Sequence, residues 1–417
     1  MTFNRKRIPY HVGVMTTVVG VSIYLVYSSY IYITSIGIHS PVLSHDSTLL
    51  SVFSAVMDIE DEHQIILNVW DGTRDTQYKC CVLTSNAALI QVFAKPLYSA
   101  YNENVLSARQ YKCIMSSNNG HVTSVAMILT SKTCTVNEEF IDVLYPPKSK
   151  QVTNQFVIYS VLTRDVRPMR LIEWFEYYQS IGLDKIYLVL QLPDPQLMSV
   201  LSHYIKAGLL ELKEFPFPLP GRSQDDVDRN LVTTLDDSLQ RQLEQDTLVG
   251  ILHCMAYLRG FGYVANIDVY DFVLTEKWRM LFHFLEDTFE KIYPNAAVVK
   301  LQYVKGAHFK SGTDNTKGHI EYKVIHIPGR ISTKTGDLRS NRTDDLLIPH
   351  TKYSTYTLPA DDGVVYHVGQ CSAMWIICIK NHSAITKRMY RTRTDLERKG
   401  LSVASKLYLT SYHHKPR

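Results

Sequence analysis

Apolar positions along the chain follow three patterns in turn. The first is continuous. From Val12 to Ile38 roughly 27 residues pass without Asp, Glu, Lys or Arg, more than the ~20 a helix needs to cross a bilayer. Tyr24, Tyr27, Tyr30 and Tyr32 gather towards its second half, where amphipathic rings sit at a membrane interface. Arg5, Lys6 and Arg7 precede the run, and the first charged residue after it is Asp46. Positive charge stays on the cytosolic side, so residues 1–11 are expected there as a tail, with the remainder across the membrane. The run exceeds the about 7–15 apolar residues of a cleaved signal. It predicts an uncleaved anchor over 12–38.

The second pattern, over 39–150, alternates short apolar strings such as Gln64 to Val69 and Ala87 to Phe93 with polar turns, and predicts a β-rich segment next to the membrane. Tyr145-Pro146-Pro147-Lys148-Ser149-Lys150 reads as a linker. The third pattern alternates strand-length and helix-length runs. Phe156 to Leu162 reads as a strand and Met169 to Ile181 as a helix stopped at Gly182. Lys185 to Leu190 follows as a strand, Asp194 to Ala207 as a helix stopped at Gly208, and Leu209 to Glu214 as a strand. Strand, helix, strand, helix, strand predicts half of a doubly wound α/β sheet. Gly221 to Asp228, with Asp225, Asp226 and Asp228, reads as a loop. Leu248 to Tyr257 has helical spacing, and Gly262 to Phe272 reads as one strand ending in acidic residues.

Composition sharpens this picture at three points. Of 417 residues, 45% are hydrophobic and 20% charged, with a net charge of +4 spread along the chain, so nothing supports nucleic-acid binding. Arg391, Arg393, Arg398 and Lys399 form a basic stretch in the 391–417 tail, read as a solvated helix face. All 7 cysteines, Cys80, Cys81, Cys113, Cys134, Cys254, Cys371 and Cys378, follow the apolar span. An oxidising compartment would allow them to pair, and the first four are expected to form disulfides whose pairing the spacing does not decide. Asn341-Arg342-Thr343 and Asn381-His382-Ser383 are acceptor sequons compatible with secretion.

The candidate chemistry lies at Asp268-Val269-Tyr270-Asp271. Open α/β sheets take ligands beyond the carboxyl ends of their strands. Carboxylates there can hold a hard divalent cation against the phosphates of a leaving group; the plainer alternative is a pair of turn or capping residues.

From about Phe156 to Cys371 the chain resembles glycosyltransferase family 92. The landmarks are Leu171-Ile172-Glu173-Trp174-Phe175-Glu176-Tyr177-Tyr178 with Ile181 to Tyr187, Tyr204 to Glu211, Pro216 and Pro218, Gln245 with Cys254, Lys323-Val324-Ile325-His326-Ile327-Pro328, and Val365-Tyr366-His367. Asp268-Val269-Tyr270-Asp271-Phe272 stands where members typically carry Asp-x-Asp-Glu-Phe, so a phenol replaces the second carboxylate. His253 stands where an aspartate is usual, and Val368-Gly369 where Tyr-Arg is usual.

The resemblance implies a Rossmann-type mixed sheet of the GT-A kind over 151–390. It further implies transfer of a hexose, galactose by analogy, from a UDP-sugar to a glycan or glycoprotein hydroxyl, with inversion, in the Golgi or endoplasmic reticulum. Arg164, Glu173 and Asp268 are the expected donor-binding residues. Asp268, Asp271 and His367 are expected to hold Mn²⁺ or Mg²⁺, and Asp314, or else Asp345, to be the base. Glu173 and Glu176 on the early helix read otherwise as solvent-facing. Three readings stay open at Tyr270. Asp268 binds the ion alone, Asp271 substitutes through a changed turn, or the protein binds sugar nucleotides or glycans without turnover.

Overall fold

The computed structural model describes residues 50–73, 76–99, 106–116, 120–148, 155–162, 166–190, 195–216, 219–220, 237–275, 280–305, 321–332, 346–367 and 398–407. They form a mixed α/β molecule built on two sheets. The apolar span 12–38, the 221–228 loop, both sequons, Cys371, Cys378, Arg391 and Arg393 lie outside these residues. Among the described helices none is long and apolar enough to cross a membrane.

Seven strands, β1 (Leu50–Met57), β2 (Gln64–Asp71), β3 (Tyr78–Thr84), β4 (Leu89–Ser99), β5 (Ser107–Ile114), β6 (Val122–Leu129) and β7 (Ile141–Leu144), close a barrel in the order β1-β2-β5-β4-β3-β6-β7. The period of two decides which residues fill it. Ile65, Leu67 and Val69 of β2 point into the barrel core with Ala55, Tyr78, Cys80, Val82, Tyr111 and Cys113. Ile66 and Trp70, on the other face of β2, are also buried but join different clusters outside the barrel. Cys80 pairs with Cys113 and Cys81 with Cys134. Neighbouring residues of a strand face opposite ways, so adjacent cysteines reach different partners.

The second sheet has the order β10-β9-β8-β11-β14-β13-β16-β12, with β15 (Ser354–Thr357) paired to β13. Its strands are β8 (Phe156–Leu162), β9 (Lys185–Leu190), β10 (Leu210–Glu214), β11 (Tyr263–Asn266), β12 (Asp271–Thr275), β13 (Ala296–Lys305), β14 (Tyr322–His326) and β16 (Gly363–His367). The four strands β10, β9, β8 and β11 run parallel, while β14 joins β11 antiparallel. Three long helices are α1 (Pro168–Ser180), α2 (Pro195–Lys206) and α3 (Asp237–Tyr257).

Both glycine stops form the same cap. Gly182 and Gly208 sit at φ +81° and +76°. The Gly182 and Leu183 amides donate back to Gln179 and Tyr178, as Gly208 and Leu209 do to Ile205 and Tyr204. A side chain at either glycine would be strained in that left-handed conformation.

The parallel strands are buried on both faces, as strands between two layers must be. Phe156 and Ile158 of β8, with Ile186, Leu188 and Leu190 of β9, pack with α1 and α2. Val157, Tyr159, Val161, Tyr187 and Val189 pack on the opposite face with α3 and with Phe53, Trp70, Leu106 and Ala108 of the barrel segment. Helix α3 lies against the barrel through polar as well as apolar groups. Trp70 Nε1 donates to Asp246 (2.9 Å), the Leu106 amide to Gln242 (2.9 Å) and the Ala108 amide to Gln245 (2.8 Å). His253 joins Ser54 Oγ (2.9 Å) to Tyr187 OH (2.8 Å).

Several expectations need correction. The run 262–272 is two strands rather than one, because the Asp271 amide turns back to the Asp268 carbonyl (2.9 Å) and β12 pairs with β16, at the far end of the sheet. Helix α3 begins at Asp237, ahead of the Leu248 expected, because its polar first turns are stabilised by contacts with the barrel rather than by apolar spacing. Glu173 and Glu176 are buried. Each has a partner, Arg170 Nη1 at 3.1 Å for Glu173 and Tyr204 OH at 2.9 Å for Glu176. The solvated helix face expected of the basic stretch is present at Arg398 and Lys399, exposed on a helix over 398–406, whose Val403 and Ala404 pack in the core with α1.

Candidate functional site

Asp268 emerges where the strand order reverses. The Ile267 amide donates to the Tyr159 carbonyl (3.0 Å), carrying the parallel pairing of β8 and β11 one residue further. With β9 on one side of β8 and β11 on the other, the carboxyl edge there is the crevice where open α/β sheets bind ligands.

The turn at Val269 and Tyr270 then delivers Asp271 to the start of β12, opposite His367 of β16. Strand β16 runs beside β13, which carries Tyr303, and β14 places Lys323 opposite Leu301 of β13. Four strands thus converge on Asp271, which has no exposed surface. Its Oδ1 accepts hydrogen bonds from His367 Nδ1 (2.7 Å) and Tyr303 OH (3.2 Å). Its Oδ2 lies 3.1 Å from Lys323 Nζ as an ion pair outside hydrogen-bond geometry. The same ammonium donates to Asp268 Oδ2 at 2.6 Å. A carboxylate only accepts, so His367 Nδ1 carries the proton and Nε2 is left for another partner.

Helix α1 fixes this strand start. Trp174 Nε1 (3.3 Å) and Tyr178 OH (3.0 Å) both donate to the Asp271 carbonyl, and Tyr177 OH donates to that of Val273 (2.6 Å). Phe272 is wedged edge-on to Tyr177, with ring centroids 5.0 Å apart. The aromatic string of the early helix therefore positions the acidic turn.

Charge states follow from these contacts. Burial alone would raise the Asp271 pKa, but the His367 hydrogen bond and the Lys323 charge outweigh it and hold the carboxyl below the ordinary range. Burial alone would lower Lys323, yet Asp268 and then Asp271 push it upward. Tyr303 is raised, first by burial and then by the two carboxylates, and stays a neutral phenol.

Asp268, Asp271 and His367, expected to act together, are brought together. Glu173 is held by Arg170, whose guanidinium lies 5.7 Å from the centre of the Tyr270 ring. Arg164, Asp314 and Asp345 lie outside the described residues. Sequence reasoning gave no role to Lys323, Tyr303, Trp174 or Tyr178. The local sign of Lys323 was slight, a charge beside Val324-Ile325 with Glu321 and His326 on either side, because its partners are set by the order of strands in the sheet.

As arranged, these residues do not fit a divalent cation. The position between the carboxylates is taken by the Lys323 ammonium, and a doubly charged ion ~4 Å from it would meet a repulsion of about 8 kcal/mol at an effective dielectric near 20. Among the described residues no group of three or more His, Cys, Asp or Glu side chains is disposed to hold a metal ion. Tyr270 offers only a phenol, a poor ligand for Mg²⁺ or Mn²⁺.

A family model described as glycosyltransferase family 92 matches residues 162–398, which take in every residue of this cluster. A search of curated proteins finds no match.

Proposed function

The chain belongs to glycosyltransferase family 92, and from that premise we propose that it moves a hexose, galactose by family analogy, from a UDP-sugar to a hydroxyl of a glycan or glycoprotein. The observation that supports this most is the charged cluster of Asp268, Asp271, Lys323 and His367 at the strand-order reversal of the sheet.

In an inverting transfer the acceptor oxygen attacks the anomeric carbon from the face opposite the diphosphate. The new carbon–oxygen bond forms as the bond to phosphate breaks, and the electron pair leaves with UDP. The acceptor proton passes to a carboxylate base, for which Asp314 is proposed. The step that needs help is the growth of charge on the departing diphosphate, and fixed charges in a partly buried site stabilise it most effectively. The chain is further proposed to be a type II protein of the Golgi or endoplasmic reticulum, anchored by 12–38 with its body in the lumen. The paired cysteines of the barrel favour that compartment.

Detergent-solubilised full-length protein incubated with a panel of UDP-sugars and an acceptor glycan should release UDP. Asp268→Asn should lower that rate by a factor of hundreds, about 3–4 kcal/mol. Equal rates for the two proteins would make Asp268 a turn residue and remove the site. Tyr270 in place of a carboxylate favours a second reading, a protein that binds the nucleotide sugar without turnover. Its mark would be a ligand-induced rise in melting temperature with UDP release at background.

A further inference from the structure

We propose that Lys323 is the resident cation of this site, taking the place of a divalent metal in neutralising the diphosphate, so that sugar transfer proceeds without Mn²⁺ or Mg²⁺. The inference rests on the donor-binding reading above. Its basis is geometric. Lys323 Nζ sits 2.6 Å from Asp268 and 3.1 Å from Asp271, the two carboxylates that a bridging ion would need. Asp271 Oδ1 is taken by His367 and Tyr303, and its Oδ2 faces the ammonium as an ion-pair partner. Asp271 acts as the anchor of the ammonium rather than as an open ligand.

An ammonium has three donors in tetrahedral array. Asp268 takes one, and the site opens outward from the Lys323 side chain at 19% exposure through His367 at 30% to Asp268 at 46%. A lysine so held meets phosphate oxygens as a compact point charge. The Tyr303 ring, its centre 5.3 Å from Nζ, flanks the ammonium on one side. No electrons or atoms are added to the transfer. The C–O bond to phosphate breaks, the pair leaves on UDP, and Lys323 supplies the charge that receives it. Asp268, half exposed, keeps a second oxygen for a hydroxyl of the ribose or sugar.

The test uses full-length protein in detergent, with UDP, a UDP-sugar and Mn²⁺ as the probes. Wild type stripped with EDTA should turn over within about two-fold of its rate in Mn²⁺, and Mn²⁺ titrated in the presence of UDP should show no bound ion by electron paramagnetic resonance. Lys323→Ala should lose about 100-fold or more in EDTA. With its carboxylates released it should bind one Mn²⁺ and regain about ten-fold or more when the ion is added. Lys323→Arg should bind no Mn²⁺ and keep metal-independent turnover above that of Lys323→Ala.

Wild type that is inactive in EDTA and restored by Mn²⁺, or that binds Mn²⁺ stoichiometrically, overturns the inference and leaves the proposed function standing. Wild type that binds no UDP in calorimetry, with or without Mn²⁺, overturns both. Should Lys323→Ala fail to fold, the wild-type comparison in EDTA and Mn²⁺ decides alone.

Discussion

At the scale of single residues, the molecule keeps two histidines neutral in its interior. Burial, reinforced by Lys213 for His253 and by Arg259 for His326, pulls each pKa down from the ordinary 6.5 to about 3. The unfolded chain takes up a proton on each near pH 6.5, while the folded chain does so only near pH 3. Above pH 6.5 neither contributes, and as pH falls through that window each opposes folding by up to about 1.4 kcal/mol per pH unit. From pH 7 to 5 the pair should cost about 4 kcal/mol. Asp271, with its depressed pKa, adds a loss of the same sign only below the ordinary carboxylate range. Urea midpoints measured across pH 5 to 7 should fall accordingly, and His253→Gln should remove about half of the slope. An unchanged slope would mean that His253 titrates normally.

At the scale of elements, the barrel depends on two cross-links. Cys80 of β3 reaches Cys113 of β5, strands that lie on either side of β4, while Cys81 reaches Cys134 beyond β6. Sequence separations of 33 and 53 residues correspond in the chain-entropy account to about 4 kcal/mol each. Replacing Cys81 and Cys134 together by Ser should lower stability by about that amount; a melting curve that does not move would show the cross-link to be dispensable. The pairing was not legible in the sequence, because it depends on which strands close the barrel. The helices and strands of 156–214 were legible, since their periods and both glycine stops express local physics. The acidic run was read as one strand because nothing local distinguishes Val264-Ala265-Asn266 from Phe272-Val273-Leu274; the break comes from β12 finding its partner, β16, about a hundred residues away in sequence. Lys323 was hidden for the same reason. Asp268 and Asp271 sit more than fifty residues before it, and only the order of strands in the sheet makes them neighbours.

At the scale of the whole molecule, the proposed topology makes a direct prediction. Protease added outside sealed microsomes should leave the barrel and the α/β body intact and remove at most the short basic tail before Val12; digestion of the bulk would reverse the orientation and with it the secretory reading. A last consequence concerns time rather than geometry. Helix α3 covers Trp70, Leu106 and Ala108 and bonds two of the barrel's backbone amides. It is made well after the barrel, and at about 5–20 residues per second the intervening stretch of roughly 90 residues takes about 5–20 s to synthesise. During that interval the nascent barrel, on the proposed topology, shows the lumen an apolar, unpaired flank. Biosynthesis should therefore be slow-codon sensitive and chaperone-dependent in the stretch before Asp237, although the finished protein leaves no trace of that exposure.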